Sequence, residues 1–187
     1  MNIIILGPQG SGKGTQAKLL AKKFNLEHLE TGKILREIAA TDTSLGKKVA
    51  SRINRGFLVN NKILSEVFSQ YLKEVPKNKG VVFDGVPRSM PQVKIFETAL
   101  KKAKRKLTTG FFIWISRKET FKRLEKRGRE DDEKETIEKR LKQYYQRTLP
   151  VVRFYYLKDK MIEINGEQPI KKVFTDILEY LPFVQPH

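Results

Sequence analysis

A doubly wound, parallel five-stranded α/β sheet flanked by helices is the fold class that this sequence predicts. Three observations carry it. Apolar runs at residues 3–6, 81–83, 111–115 and 161–164 are too short for helices and read as buried strands. Each is followed by a stretch with apolar residues at helical spacing. The first run breaks abruptly into Gly7-Pro8-Gln9-Gly10-Ser11-Gly12-Lys13-Gly14-Thr15-Gln16, a glycine-rich turn between strand and helix. Alternation of this kind builds a sheet whose ligands lie at the carboxyl ends of the strands.

Taken in order, the first helix carries Ala17, Leu19, Leu20, Ala21 and Phe24 at helical spacing, and residues 26–29 read as a short second strand. Thr31-Gly32 opens a helix through Ile34, Leu35, Ile38 and Ala39, and another spans about 45–55. Asn60 or Asn61 suits the N-cap of the next helix, whose apolar face holds Ile63, Leu64, Val67, Phe68, Tyr71 and Leu72. Pro76-Lys77-Asn78-Lys79-Gly80 ends it. The strand at 81–83 closes in Asp84, residues 89–103 are helical, and the strand at 111–115 follows. Helices are expected at 119–127 and 133–156, the second kinked by Pro150. A strand at 161–164 and a helix at 170–181 come last. The stretch 31–75 is too long for a simple crossover, and the polar turn 128–132 lies between charged helices. Both read as lobes mounted on the core.

At 187 residues the chain can bury one ordinary core. It has no cysteine, which excludes disulfides and a cysteine-ligated zinc and is compatible with a reducing compartment. No apolar run approaches membrane-spanning length, and no basic leader with an apolar core and cleavage site opens the sequence. A cytoplasmic location is the expectation. The 38 Lys and Arg outnumber the 21 Asp and Glu, for a net charge of +17 that attracts polyanions. The lysines are spread over nearly every helix, apart from Lys101-Lys102-Ala103-Lys104-Arg105-Lys106. Solvated helix faces explain this better than a nucleic-acid surface, which calls for aromatic platforms among clustered basic residues.

The glycine-rich turn has the composition of a phosphate-binding loop: glycines let the backbone wrap an anion, and the helix N-terminus adds partial positive charge. Lys13 would reach the outer phosphates of a nucleotide, while Thr15 is placed to bind phosphate or help seat Mg²⁺. In the common pattern Ser or Thr follows the lysine directly, whereas here Gly14 intervenes. Asp84, at the end of an apolar strand, stands where phosphate-loop enzymes hold Mg²⁺ directly or through water. After it, Gly85 permits close approach, Pro87 stiffens the turn, and Arg88 offers a bidentate fork for phosphate. Gln92 stays open between two roles, because Ser89-Met90-Pro91-Gln92 also fits a capping box. Asp132 and Glu135 likewise fit a helix cap. No histidine reads as catalytic: His28 is read as structural and Trp114 as core.

These motifs together resemble the adenylate kinase family. The resemblance rests on residues 7–16, on Thr31-Gly32 followed by Leu35-Arg36, and on Asp84-Gly85 with Pro87-Arg88 and then Pro91-Gln92. It continues in Lys126-Arg127-Gly128-Arg129 with Asp131-Asp132, and in Lys139-Arg140-Leu141. It implies a phosphate-loop NTPase fold forming one kinase domain over residues 1–187. A helical nucleoside-monophosphate-binding subdomain is inserted at 30–59, and a very short lid lies at 127–133. The implied reaction is ATP plus AMP giving two ADP, reversible, with Mg²⁺ and without zinc, in a monomer that engages nucleotides and no membrane.

Residue by residue, the resemblance implies that Gly10, Ser11, Gly12, Lys13, Gly14, Thr15, Arg123 and Arg127 bind ATP. Arg36 and Arg88 would hold the AMP phosphate, and Thr31, Val59, Gly85 and Gln92 would complete the AMP site. Lys13, Arg88, Arg127, Arg129 and Arg140 would be catalytic, with Asp84 holding Mg²⁺ through water and Thr15 beside it. In related UMP and CMP kinases the position of Thr31 is typically alanine and the proline-glutamine pair is replaced, so Thr31 and Gln92 favour AMP. The alternatives are a kinase for UMP or CMP and a basic, RNA-associated phosphate-loop ATPase. Three departures from the family are visible. Lys33 replaces an aspartate, reversing charge where a water-mediated contact near Mg²⁺ is expected. Val86 replaces a phenylalanine, a change of packing. The lid is shorter even than in short-lid members, with Asp131 and Asp132 as a brace for its arginines. So short a lid shields the transferring phosphoryl group incompletely. Without AMP, ATP hydrolysis should exceed that of a long-lid relative in an ADP-release assay, and equal rates would refute this.

Overall fold

A computed structural model of the chain describes residues 1–127 and 134–181. Five strands, β1 (Asn2–Leu6), β2 (Glu27–Glu30), β3 (Val81–Asp84), β4 (Thr109–Trp114) and β5 (Met161–Asn165), form one sheet in the order β2-β3-β1-β4-β5. Every pairing is parallel. The helices are α1 (Lys13–Lys23), α2 (Thr31–Ala39), α3 (Ser44–Ile53), α4 (Asn61–Glu74), α5 (Met90–Lys102), α6 (Arg117–Arg127), α7 (Lys134–Gln143), α8 (Leu149–Tyr156) and α9 (Ile170–Glu179). The expected doubly wound sheet is therefore present, and β2 differs from its expected span by a single residue.

Central β1 is buried along its whole length because both faces of the sheet are covered. Successive side chains point to opposite faces. Ile3 and Ile5, with Val82, Phe111 and Ile113, pack on Ala17 and Leu20 of α1 and on Val173 and Ile177 of α9. Ile4 and Leu6, with Leu29 and Phe83, meet Leu64 and Phe68 of α4, Phe96 of α5, and Val151 and Tyr155 of α8. Trp114 is partly buried against this second cluster. Phe96 sits at its centre, edge-on to Phe83 at 4.9 Å and to Phe68 at 5.8 Å between ring centroids.

Helices α3 and α4 are capped locally. Thr43 accepts the Gly46 N–H at 2.9 Å and starts α3, while Asn60, rather than Asn61, caps α4 by accepting from Lys62 N at 2.8 Å. The expected single helix over 133–156 is corrected: α7 and α8 are separated by a π-helical turn, Tyr144–Thr148. Pro150 has no N–H to donate, and it lies in the first turn of α8, where none is needed. The backbone widens one turn earlier instead.

Arg105 leaves the basic run 101–106 and turns inward. It is 9% exposed and donates to the carbonyls of Lys79, Val75 and Pro76 at 2.6, 3.0 and 2.7 Å. That side chain serves the end of α4, not a polyanion. Among the described residues no helix is long and apolar enough to cross a membrane. Replacing Phe96 by Ala removes the ring that joins β3, α4 and α5. Urea denaturation should show a loss of about 3–5 kcal/mol, and a loss under 1 kcal/mol would refute this account of the core.

Candidate active site

The site grows from the carboxyl edge of the sheet. Leu6 ends β1, and the loop after it turns at Gly10 and Gly12, whose φ angles of 76° and 85° are left-handed. Gly12 is the N-cap of α1 and brings no side-chain cap, so the first N–H groups of the helix face outward for an anion. Lys13 folds back over the loop, its Nζ donating to the Pro8 carbonyl at 3.1 Å. Gly14 has a steric reason to stand between Lys13 and Thr15. A Cβ there would lie 3.1 Å from Asp84 Oδ2.

Asp84 ends β3 and pairs in register with Ile5 on one side and Glu30 on the other. Its side chain is 7% exposed, and Oδ2 lies 3.6 Å from His28 Nε2. His28, read as structural, thus sits beside an acidic member of the site.

Arg88, at the start of the next turn, is partly buried. Burial pulls its guanidinium below its ordinary pKa, Asp84 opposes this, and the charges of Arg140 and Arg36 push in the same direction as burial. The charged form is therefore held at a cost that an anion would offset. Four contacts fix the residue. Its Nε donates to the Gly85 carbonyl, its N–H to Gln92 Oε1 at 2.8 Å, and its carbonyl accepts from Thr148 Oγ1 at 3.1 Å. Asp84 supplies the attraction. Ser89 caps α5 by accepting the Gln92 N–H at 3.4 Å, so Gln92 reaches back toward the cap and also lines the cleft.

One cleft brings together Lys13, Gly14, Thr31, Arg36, Val59, Asp84, Gly85, Arg88, Gln92 and Arg140. Thr31 is 3% exposed, and its Oγ1 has no hydrogen-bond partner among the described residues. Gly10, Ser11, Gly12, Thr15 and Arg123 are not among the lining residues. Thr15 is exposed at the solvent side of α1. Arg123 clamps the loop: it pairs with Glu119 at 2.7 Å and donates to the carbonyls of Gly10 and Gly166 at 3.3 and 2.9 Å. Lys33 points away, pairing with Glu37 at 3.7 Å on the exposed face of α2. The side chain of Arg127, together with Arg129 and the rest of the expected lid, lies outside the described residues.

Among the lining residues that carry no sequence expectation are Glu30, Gln143, Tyr144 and Thr148. Gln143 donates to the Gly56 carbonyl at 2.7 Å and Arg140 to that of Ile53 at 3.3 Å, tying α7 to the loop after α3. Glu30 had a readable signal, since it ends β2 at the ligand-facing edge. The others had none, because their placement depends on the π-helical turn.

Comparison with known proteins agrees with this geometry. The sequence model of a family described as adenylate kinase matches residues 5–160. An adenylate kinase of Azobacteroides pseudotrichonymphae is 38% identical over 183 residues, 96% of each chain. One from Parabacteroides distasonis is 35% identical over 183 residues, again 96% of each, and one from Prochlorococcus marinus is 36% identical over 176 residues, 94% of this chain and 96% of the relative. With its five-stranded parallel sheet and a cationic cleft at the carboxyl edge, the chain belongs to the adenylate kinase family.

Proposed function

We propose that the chain moves the terminal phosphoryl group of ATP to AMP, giving two ADP, with Mg²⁺ brought in by the nucleotide. The observation that carries this is the partly buried Arg88, with Arg36 and Arg140 acting on it, in one cleft with Lys13. Lys13, Arg36, Arg88 and Arg140 outnumber Glu30 and Asp84 in this cleft, an excess that suits a polyphosphate on the loop and an acceptor phosphate at Arg36 and Arg88.

In this reading Gly10 to Thr15 cradle the ATP phosphates, and Lys13 releases Pro8 to reach them. Arg123 contributes through the loop that it clamps. Thr31, Val59, Gly85 and Gln92 surround AMP, and the unpartnered Thr31 hydroxyl supports polar contact with the base. Arg140, with Arg127 and Arg129, supplies positive charge where the phosphoryl group passes. The acceptor oxygen is ionised at neutral pH, so no general base is needed. Positioning and charge neutralisation make up the catalysis.

Among the described residues no cluster of three or more His, Cys, Asp and Glu could hold a metal unaided. Asp84 nevertheless suits Mg²⁺, which typically takes one or two carboxylates together with substrate phosphates and water. Bound to ATP, the ion neutralises charge on the phosphates. The roles of 30–59 as a subdomain that closes on AMP and of 127–133 as a lid belong to the same proposal. So does a cytoplasmic monomer; a chain without cysteine is compatible with a reducing compartment.

Incubation with MgATP and each nucleoside monophosphate in turn should give diphosphate with AMP. Preference for UMP or CMP would overturn the base assignment. Arg88→Ala should lower turnover by about 10²–10³-fold, and unchanged turnover would remove Arg88 from the acceptor clamp. Lys13→Ala should be nearly inactive. Because AMP offsets the cost of burying Arg88, it should raise the melting temperature. Linkage gives about 2.7 kcal/mol at a hundred times Kd, and Arg88→Ala should lose most of that rise.

A further inference from the structure

We propose that Glu30 is a built-in counter-ion for Arg36 that the acceptor phosphate must displace, so that this carboxylate sets how tightly the acceptor nucleotide binds. The inference rests on the reading above in which Arg36 holds the AMP phosphate.

Glu30 occupies the N-cap position of α2, yet its side chain makes no capping bond. Its carboxylate is instead directed along the helix, with Oε1 3.2 Å from Arg36 Nη2. The guanidinium lies over Gly32, where a Cβ would stand 3.2 Å from Nη1. Glu30, Gly32 and Arg36 all line the cleft. The pair is inside the nucleotide site, unlike Lys33 and Glu37, which meet on the outer face of α2.

The strength of the pair suits a displaceable occupant. Side-chain exposures of 26% for Glu30 and 44% for Arg36 leave it partly hydrated, where such pairs are weak. A phosphate dianion offers more charge and a bidentate fit to the same guanidinium. Binding then breaks the Glu30 contact and leaves a carboxylate near the incoming phosphate, which like-charge repulsion disfavours. Both effects act on the phosphate and not on the base or ribose. Register also sets Glu30 opposite Asp84, which makes a second carboxylate for Mg²⁺ the competing role. The contact with Arg36 favours the counter-ion.

The test is equilibrium titration of the full-length protein with AMP and, separately, adenosine. Glu30→Gln, which keeps shape and removes charge, should tighten AMP by about two- to five-fold and leave adenosine unchanged, with KM for AMP falling in parallel. Glu30→Ser serves if the glutamine variant fails to fold, which its melting temperature reports. Unchanged or weaker AMP binding overturns the proposal. So does equal tightening of adenosine, or a raised Mg²⁺ requirement without tighter AMP. Arg36→Ala separates the two levels. If it weakens AMP while Glu30→Gln has no effect, only the counter-ion role falls. If it leaves AMP binding unchanged, the acceptor-site reading fails and the counter-ion role with it.

Discussion

Arg88 is a cation drawn partly out of solvent, and contacts from several elements hold it there. Asp84 at the end of β3 supplies the opposing charge, Gly85 a carbonyl, Gln92 of α5 an acceptor for its N–H, and Thr148 a donor to its carbonyl. These contacts come from a strand, a turn, the start of one helix and the break between two others. None lies on the same local segment as Arg36 or Arg140, whose charges make the burial costlier. A partly desolvated cation among other cations is held by such contacts, and it is relieved by an anion.

The same carboxyl edge explains the phosphate loop. Parallel strands buried on both faces leave their ligand-facing ends as the one place where polar groups converge. β1 delivers the loop there and β3 delivers Asp84, adjacent in register. Their closeness leaves little room for a side chain between Lys13 and Thr15. Arg123 closes the arrangement from behind, holding the loop at Gly10 and the turn after β5 at Gly166. A side chain can thus serve a nucleotide by shaping the loop that meets it.

Local physics made a large part of this legible. Apolar runs bounded by Gly or Asp announced the strands, Thr and Asn announced helix starts, and the spacing of glycines and lysine announced the phosphate loop. Ten residues expected at the site line one cleft. What local reading misplaced has a common cause. Sequence places the kink at Pro150, whereas the backbone widens one turn earlier, at Tyr144–Thr148, and Thr148 there donates to the Arg88 carbonyl. Arg105 was counted with a basic run, but the exposed carbonyls ending α4 drew it inward.

Lys33 and Glu30 divide the two kinds of knowledge most clearly. The sequence by itself determined a parallel α/β fold with a phosphate-binding loop, because periodicity and glycine spacing act over short distances, and its motifs carried the resemblance to adenylate kinases. Tertiary structure alone decided which charges belong to the site. Lys33, beside Thr31-Gly32 in the sequence, turns out to pair with Glu37 on the surface. Glu30, unmarked by any motif, turns inward onto Arg36. Helical phase puts Lys33 one turn before Glu37 on the exposed face of α2, whereas Glu30 ends β2 at the edge of the cleft.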